Sequence, residues 1–437
     1  WRFQQAPSHG LGYRQQQTPG FRLKTFRLIK MSSDKSTNDN APLNKIRVLD
    51  IATFIAAPFC GVILADFGAE VLKIEKPGEG DPLRQFGTPV EPDQDTFVWL
   101  TEARNKKSVT LDLRTAKGVE LFKGLVKQSD IVLENFRPGT LEKWGIGFDV
   151  LSEINPRLIM LRVSGYGQDG PYSSRPGFAR AAHAFAGLSY LCGEPGQMPV
   201  MPGSTSLADY VSGMWGTIGI MMALEARRKT GKGQMVDIAL YESVFRLMDE
   251  MLPVYQRTGF IRERMGADTV NAVPHSHYQT RDGKYVALAC SSDKIFERMC
   301  HIMGCPENAM PNTYRKVSAR EENRALINKI VQDWFIELDA SDAISRCQQG
   351  GVPCSVLYSI EDIYNDPHYQ ARGNFQIFND PRFNEVTVTS ALPRLSDTPA
   401  VLQNLGPALG DATDSVYKSL LNLTDQDIQS LKEERVI

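Results

Sequence analysis

Over residues 46–164, short β-branched and apolar runs alternate with stretches of helical periodicity. Residues 46–52, IRVLDIA, predict a buried strand. Pro58 opens a helix through Phe67, and Gly68 stops it. Residues 70–74, EVLKI, predict a second strand. The unit then repeats. Residues 108–113 read as a strand, and 116–128 as a helix with Val119, Phe122, Leu125 and Val126 on one face; residues 131–134 are the next strand. Residues 158–164 predict a further strand, ending in the loop GYGQDGPYSSRPG. Two strand–helix–strand units predict a parallel sheet in a Rossmann-like α/β layer architecture. Glycine- and proline-rich loops at the carboxyl ends of such strands are where ligands bind. Neither strand–helix turn carries G-x-G-x-x-G, so NAD and FAD are not expected.

The second half is less regular. Residues 198–228 begin as a Pro- and Gly-punctuated loop and become a long apolar helix from Ser206. TGKGQMVDIAL is a turn leading into a strand, and residues 241–257 look helical. Residues 260–280 read as loop, 281–284 as a turn, and 285–290 as a strand. Residues 293–347 form helices with charged faces, a composition shift that predicts a second, smaller α+β domain. Residues 351–358 return to strand, and a polar helix starts at Thr424.

Composition narrows the function classes. The chain has 437 residues, enough for two or three domains, and a net charge of −2, which gives no field for holding nucleic acid. Its seven cysteines lack C-x-x-C spacing, which argues against a disulfide framework and a zinc site and for reduced thiols in an intracellular protein. The longest apolar run, residues 214–224, is too short to span a bilayer, so no membrane partner is expected. Within residues 1–44, six Lys and Arg side chains and no acid precede Asp34, the mark of an organelle transit segment. A mitochondrial address is expected, or a cytoplasmic one if Met31 is the start.

Asp209 stands where loop becomes helix. Ser206 and Asp209 have the S-x-x-D spacing of a capping box, in which Asp209 is structural. A carboxylate at a helix N-terminus is also held in the anionic form that attacks electrophiles. Both readings stay open on spacing alone.

Taken together, VLDIATFIAAPFCGVILADFGAEVLKIEKPGEGDPLR, NKKSVTLDL, DIVLENFRPG, GYGQDGPYSSRPGF, LADYVSG, RRKTGKGQMVDIALYES, GVPCSVL and PALGDAT resemble the class III CoA-transferases (the CaiB/BaiF family) over about residues 45–437. The resemblance implies an interlocked-ring homodimer. It also implies a large Rossmann-like CoA-binding domain over 45–240 and 350–437, with a small domain and linkers over 241–349. The family nucleophile is the aspartate of an L-x-D-x-x-x-G segment, which here is Asp209. It attacks a donor thioester, possibly succinyl-CoA, to give an aspartyl anhydride and then an aspartyl-CoA thioester, from which a carboxylic acid acceptor takes CoA. CoA esters would be substrates, with no permanent cofactor. The implied CoA contacts are Ile55, Ala56, Lys76, Leu111, Arg114, Asn135, Phe136, Arg137 and Lys143. Ile55, Pro176 and Phe178 replace polar residues of the oxalate-using enzyme, which implies a less polar acceptor pocket. The related racemases need a proton-transferring Asp where this chain has Ala179, so that reading is the alternative, beside a non-catalytic CoA-binding descendant. His275 and His277 are expected in a loop near the site rather than on a metal.

Overall fold

Alternate residues along the strands enter two separate cores, as a sheet covered on both faces requires. The computed structural model describes residues 40–91, 94–305 and 313–437; most of the basic N-terminal stretch lies outside them. Six strands make one sheet: β1 (Arg47–Asp50), β2 (Glu70–Glu75), β3 (Lys106–Thr110), β4 (Ile131–Glu134), β5 (Ile159–Ser164) and β6 (Met235–Ala239). Every pairing is parallel, in the order β3-β2-β1-β4-β5-β6. Val48, Val71, Leu133 and Leu161 face a core shared with Ala57 and Leu64 of helix Ala56–Asp66 and Ile220 of helix Leu207–Thr230. Their neighbours Leu49, Leu72, Val132 and Met160 face a second core. Phe122 and Leu125 of helix Ala116–Val126 pack there, with Val416 and Tyr417 of helix Thr413–Leu421 and Ile428 of helix Asp425–Glu433. The end of the chain thus closes the sheet formed by its first half.

The strand order winds outward from β1 in both directions and reverses between β1 and β4. Such a switch point opens a crevice at the carboxyl ends of the strands. β7 (His275–Gln279), β8 (Tyr285–Ala289) and β9 (Cys354–Val356) form a second, antiparallel sheet under helices Asp293–Ile302, Arg324–Phe335 and Ala340–Gln349. β10 (Phe375–Asp380) and β11 (Asn384–Thr389) make a hairpin. Its Val386 and Val388 pack on Ile55, Leu83 and Trp99.

Several sequence expectations change. Residues 260–280 are not all loop, because His275–Gln279 pairs with β8 across the turn at 281–284. The helix expected over 241–257 is two, Leu240–Phe245 and Met251–Thr258. Pro253 has no N–H to donate, so it fits the first turn of a new helix and not the interior of a continuous one. The apolar run at 214–224 belongs to the 24-residue helix Leu207–Thr230, which is long and apolar enough to cross a membrane by length and composition. Its flanks add length that the run alone did not show. One side of this helix packs closely. A Cβ on Gly213 would stand 2.7 Å from the Ala56 carbonyl oxygen, which only glycine permits. Met214, Ile218, Met221 and Met222 are exposed on the helix. All seven cysteines are free thiols.

Candidate active site

The switch point is stitched by one side chain. Asn135, just after β4, accepts the Thr53 N–H at 2.8 Å through Oδ1 and donates Nδ2–H to the Thr53 carbonyl at 2.7 Å. That locks the loop after β1 to the loop after β4. The next residue, Phe54, has φ +61°, a left-handed backbone that costs a side-chain-bearing residue about 1–3 kcal/mol. Asp81 holds it there by accepting the Phe54 N–H at 3.0 Å. Lys73 sits beneath, 2.7 Å from Asp81 and 3.6 Å from Asp50, and donates to the Ala52 carbonyl. Lys106 bonds Asp50 and the Pro58 carbonyl, both at 2.8 Å. Burial alone would lower the Lys73 pKa, but the Asp50, Asp81 and Glu75 carboxylates more than offset it and push it up to about 12. This buried ionic frame fixes the loop that leads into helix Ala56–Asp66. The first amides of a helix lack intrahelical acceptors and favour an anion.

Asp209 lies on the first turn of helix Leu207–Thr230, one turn before the contact of Gly213 with Ala56. The Tyr210 ring meets Phe59 of helix Ala56–Asp66 edge-on at 4.9 Å. Asp209 is half-buried, and burial pushes its carboxyl up to about 6 against a hydrogen bond from Ser206. The helix start therefore does not keep this carboxylate as acidic as an ordinary aspartate. The capping box is not formed either. With ψ near +60°, Ser206 makes no side-chain cap, and its backbone carbonyl accepts the Asp209 and Tyr210 amides at 2.9 and 3.2 Å. Asp209 is thus released from the structural role that the spacing allowed.

The other expected site residues divide into groups. Ile55 and Leu111 are buried in core clusters, so ligand contact from either would come through backbone. Ala56 is buried at the first helical position. Asn135 spends both polar groups on Thr53. Phe136 packs edge-on against Trp144 at 5.2 Å. Lys76 is paired with Glu79, and Arg114 with Asp112 at 2.7 Å, each partly exposed. Arg137 and Lys143 are exposed, and neither side chain has a partner among the described residues. These positions follow the carboxyl ends of β1, β2, β3 and β4, so the strand order brings them to one edge of the sheet.

Some features escaped sequence reasoning. Phe54 stands edge-on to Phe86 and Phe178 at 6.1 and 6.3 Å, and Phe178 is 69% exposed, so an aromatic rim borders the Phe54 loop. No residue pattern announced it, because the three lie in separate segments. Ala179 is buried and opens helix Ala179–Phe185 with no proton to give. His275 and His277 lie on β7 of the second sheet, not in a loop. Among the described residues, no group of three His, Cys, Asp or Glu side chains is placed to hold a metal ion.

The profile of CoA-transferase family III matches residues 43–413. The alpha subunit of succinyl-CoA–L-malate CoA-transferase of Chloroflexus aurantiacus is 49% identical over 407 residues, covering 93% of this chain and 95% of that protein. Succinyl-CoA–D-citramalate CoA-transferase of the same organism is 42% identical over 91% of this chain and 98% of that one. Among solved structures, a CaiB/BaiF family protein from Brucella suis superposes with a TM-score of 0.77 at 32% identity, covering 87% of this chain and all of that one.

Proposed function

This chain belongs to CoA-transferase family III, and from that premise we propose that Asp209 carries CoA from succinyl-CoA to a small dicarboxylic acid. Asp209 first attacks the thioester carbonyl, giving a mixed anhydride and CoA thiolate. The thiolate attacks the aspartyl carbonyl and expels succinate, leaving an aspartyl-CoA thioester. The acceptor carboxylate attacks that thioester and releases the thiolate again. The thiolate then takes the acceptor acyl group and restores the Asp209 carboxylate. The observation that carries this reading is a half-buried carboxylate, free of its capping role, on the helix that packs against the start of helix Ala56–Asp66. Arg137 and Lys143 supply the free cations that suit CoA phosphates, and Lys76 and Arg114 add charge if they leave their partners. The relatives' names support the succinyl donor and a dicarboxylate acceptor. The test incubates the protein with succinyl-CoA and a panel of mono- and dicarboxylic acids and follows new CoA esters. No transfer to any dicarboxylate sinks the acceptor assignment. α-Deuterium exchange of a 2-methylacyl-CoA in heavy water would instead favour the racemase reading.

The raised carboxyl of Asp209 sets a pH dependence. Only the anion attacks, so kcat/KM is expected to be level above about pH 6 and to fall tenfold per pH unit below it. A profile still flat at pH 5 contradicts a nucleophile in this setting.

We place the enzyme in a homodimer. The exposed Met214, Ile218, Met221 and Met222 line one helix, a stripe suited to a second copy. Met222→Glu is expected to shift the chain from dimer to monomer or aggregate in light scattering, while the wild type stays dimeric. The mitochondrial address belongs to the same proposal. It is tested by import of the full chain into isolated mitochondria, with cleavage before residue 45.

A further inference from the structure

The first turn of the Asp209 helix is capped, but not from Ser206. Nε2 of His183 accepts the Ala208 amide N–H at 2.9 Å. A ring nitrogen that accepts is unprotonated, so the imidazole is neutral with its proton on Nδ1. Burial pushes the pKa of His183 down, which favours that form. Ala208 and His183 are both fully buried, so bulk water cannot take over the bond. Ala208 immediately precedes Asp209, and both belong to the turn that Ser206 leaves uncapped.

We propose that His183 is a positioning residue for CoA transfer: its Nε2 supplies the cap that Ser206 does not, and so fixes the turn that carries Asp209. His183 has no exposed surface for substrate. It lies on helix Ala179–Phe185, directly after the glycine-rich loop, and ties that helix to the nucleophile. Losing the bond leaves a buried N–H unsatisfied and frees the turn to shift. A displacement on the order of 1 Å at a reacting group costs about a hundredfold in rate. The loss is expected in kcat, since substrate binding does not involve this ring. The proposal rests on the reading of Asp209 as the nucleophile.

The test compares His183→Gln, His183→Asn and His183→Leu. The Gln side-chain oxygen reaches the place of Nε2, whereas the Asn amide ends near Nδ1. With succinyl-CoA and the best acid of the panel, the Gln variant is expected to keep kcat within about threefold. The Asn and Leu variants are expected to lose about 10- to 100-fold, with KM for succinyl-CoA changed less than about twofold. Hydrogen exchange in peptides covering residues 206–210 should quicken in Asn and Leu and not in Gln. Wild-type kcat in the Leu variant, unchanged exchange, or an Asn variant equal to Gln overturns the proposal. If the Leu variant misfolds, the Gln–Asn contrast decides, since both keep a buried amide. Asp209→Ala is measured alongside. Turnover surviving in that variant, with exchange altered as expected at His183, sinks the nucleophile and leaves the cap standing.

Discussion

Asp209→Ala is expected to lose CoA transfer by about 10³-fold or more, because a covalent nucleophile has no substitute in a mechanism that passes through its acyl derivatives. The same site makes a second, opposite-signed expectation for stability. If Asp209 were chiefly a cap, replacing it by Asn would weaken the helix start by about 0.3–1 kcal/mol. The geometry argues otherwise. Ser206 forms no side-chain cap, and burial raises the Asp209 carboxyl from 3.8 to about 6. The native state therefore holds this proton more tightly than the unfolded chain does. Stability from this group is present below about pH 4 and is lost as pH rises through about 6. At pH 8 the ionised carboxylate opposes folding, and a neutral Asn removes that opposition. A tenfold difference in proton affinity between the two states is worth about 1.4 kcal/mol, and partial exposure of the carboxyl reduces the effect here. Asp209→Asn should accordingly gain about 1–2 kcal/mol in urea unfolding at pH 8. The gain should vanish at pH 4. An inactive variant that is also less stable at pH 8 would return Asp209 to the role of cap.

The sequence carried period and order well and partners poorly. The runs at 46–52, 70–74 and 131–134 hold strands because most residues between two covered faces are apolar, the buried Asp50, Lys73 and Glu134 being paired exceptions, and that pattern survives in one dimension. Asp209 was visible as a carboxylate at a loop-to-helix boundary for the same reason. What fills the S-x-x-D pattern was not visible. The Ser206 side chain caps no amide, and a histidine from a helix earlier in the chain accepts one in its stead. Spacing encodes what can be capped but not what the fold brings to it. The strand at His275–Gln279 hid because its run, His-Ser-His-Tyr-Gln, buries only Tyr278 and shows no apolar alternation, and its partner lies beyond a turn. Among the expected contact residues, Asn135 reads as a polar group near a ligand, yet both of its polar groups are consumed by Thr53. Phe54 would not be chosen for a left-handed backbone from any propensity; the carboxylate that holds its amide lies in another segment.

Lys73→Met is expected to cost about 3–5 kcal/mol of stability, the penalty for leaving a buried charge without its partner. Lys73 and Asp81 are each about 1% exposed, and their charged atoms are 2.7 Å apart. Asp50 keeps Lys106 at 2.8 Å after the substitution, so the uncompensated charge falls on Asp81. Asp81 Oδ1 also accepts the Phe54 and Leu83 amides at 3.0 and 2.9 Å. An Asp81 left without Lys73 would therefore loosen the Phe54 loop as well as the core. The double variant Lys73→Met, Asp81→Asn separates these effects. The Asn oxygen can accept both amides, and no charge remains to be paired. Replacing both members of a buried pair is often near neutral, so the double variant should recover at least half of the loss. Urea unfolding of the two single variants and the double closes the cycle. Strict additivity, with the double variant losing the sum of the singles, would mean that the pair does not act as a unit. The frame under the loop would then be held by Lys106 and Asp50 alone.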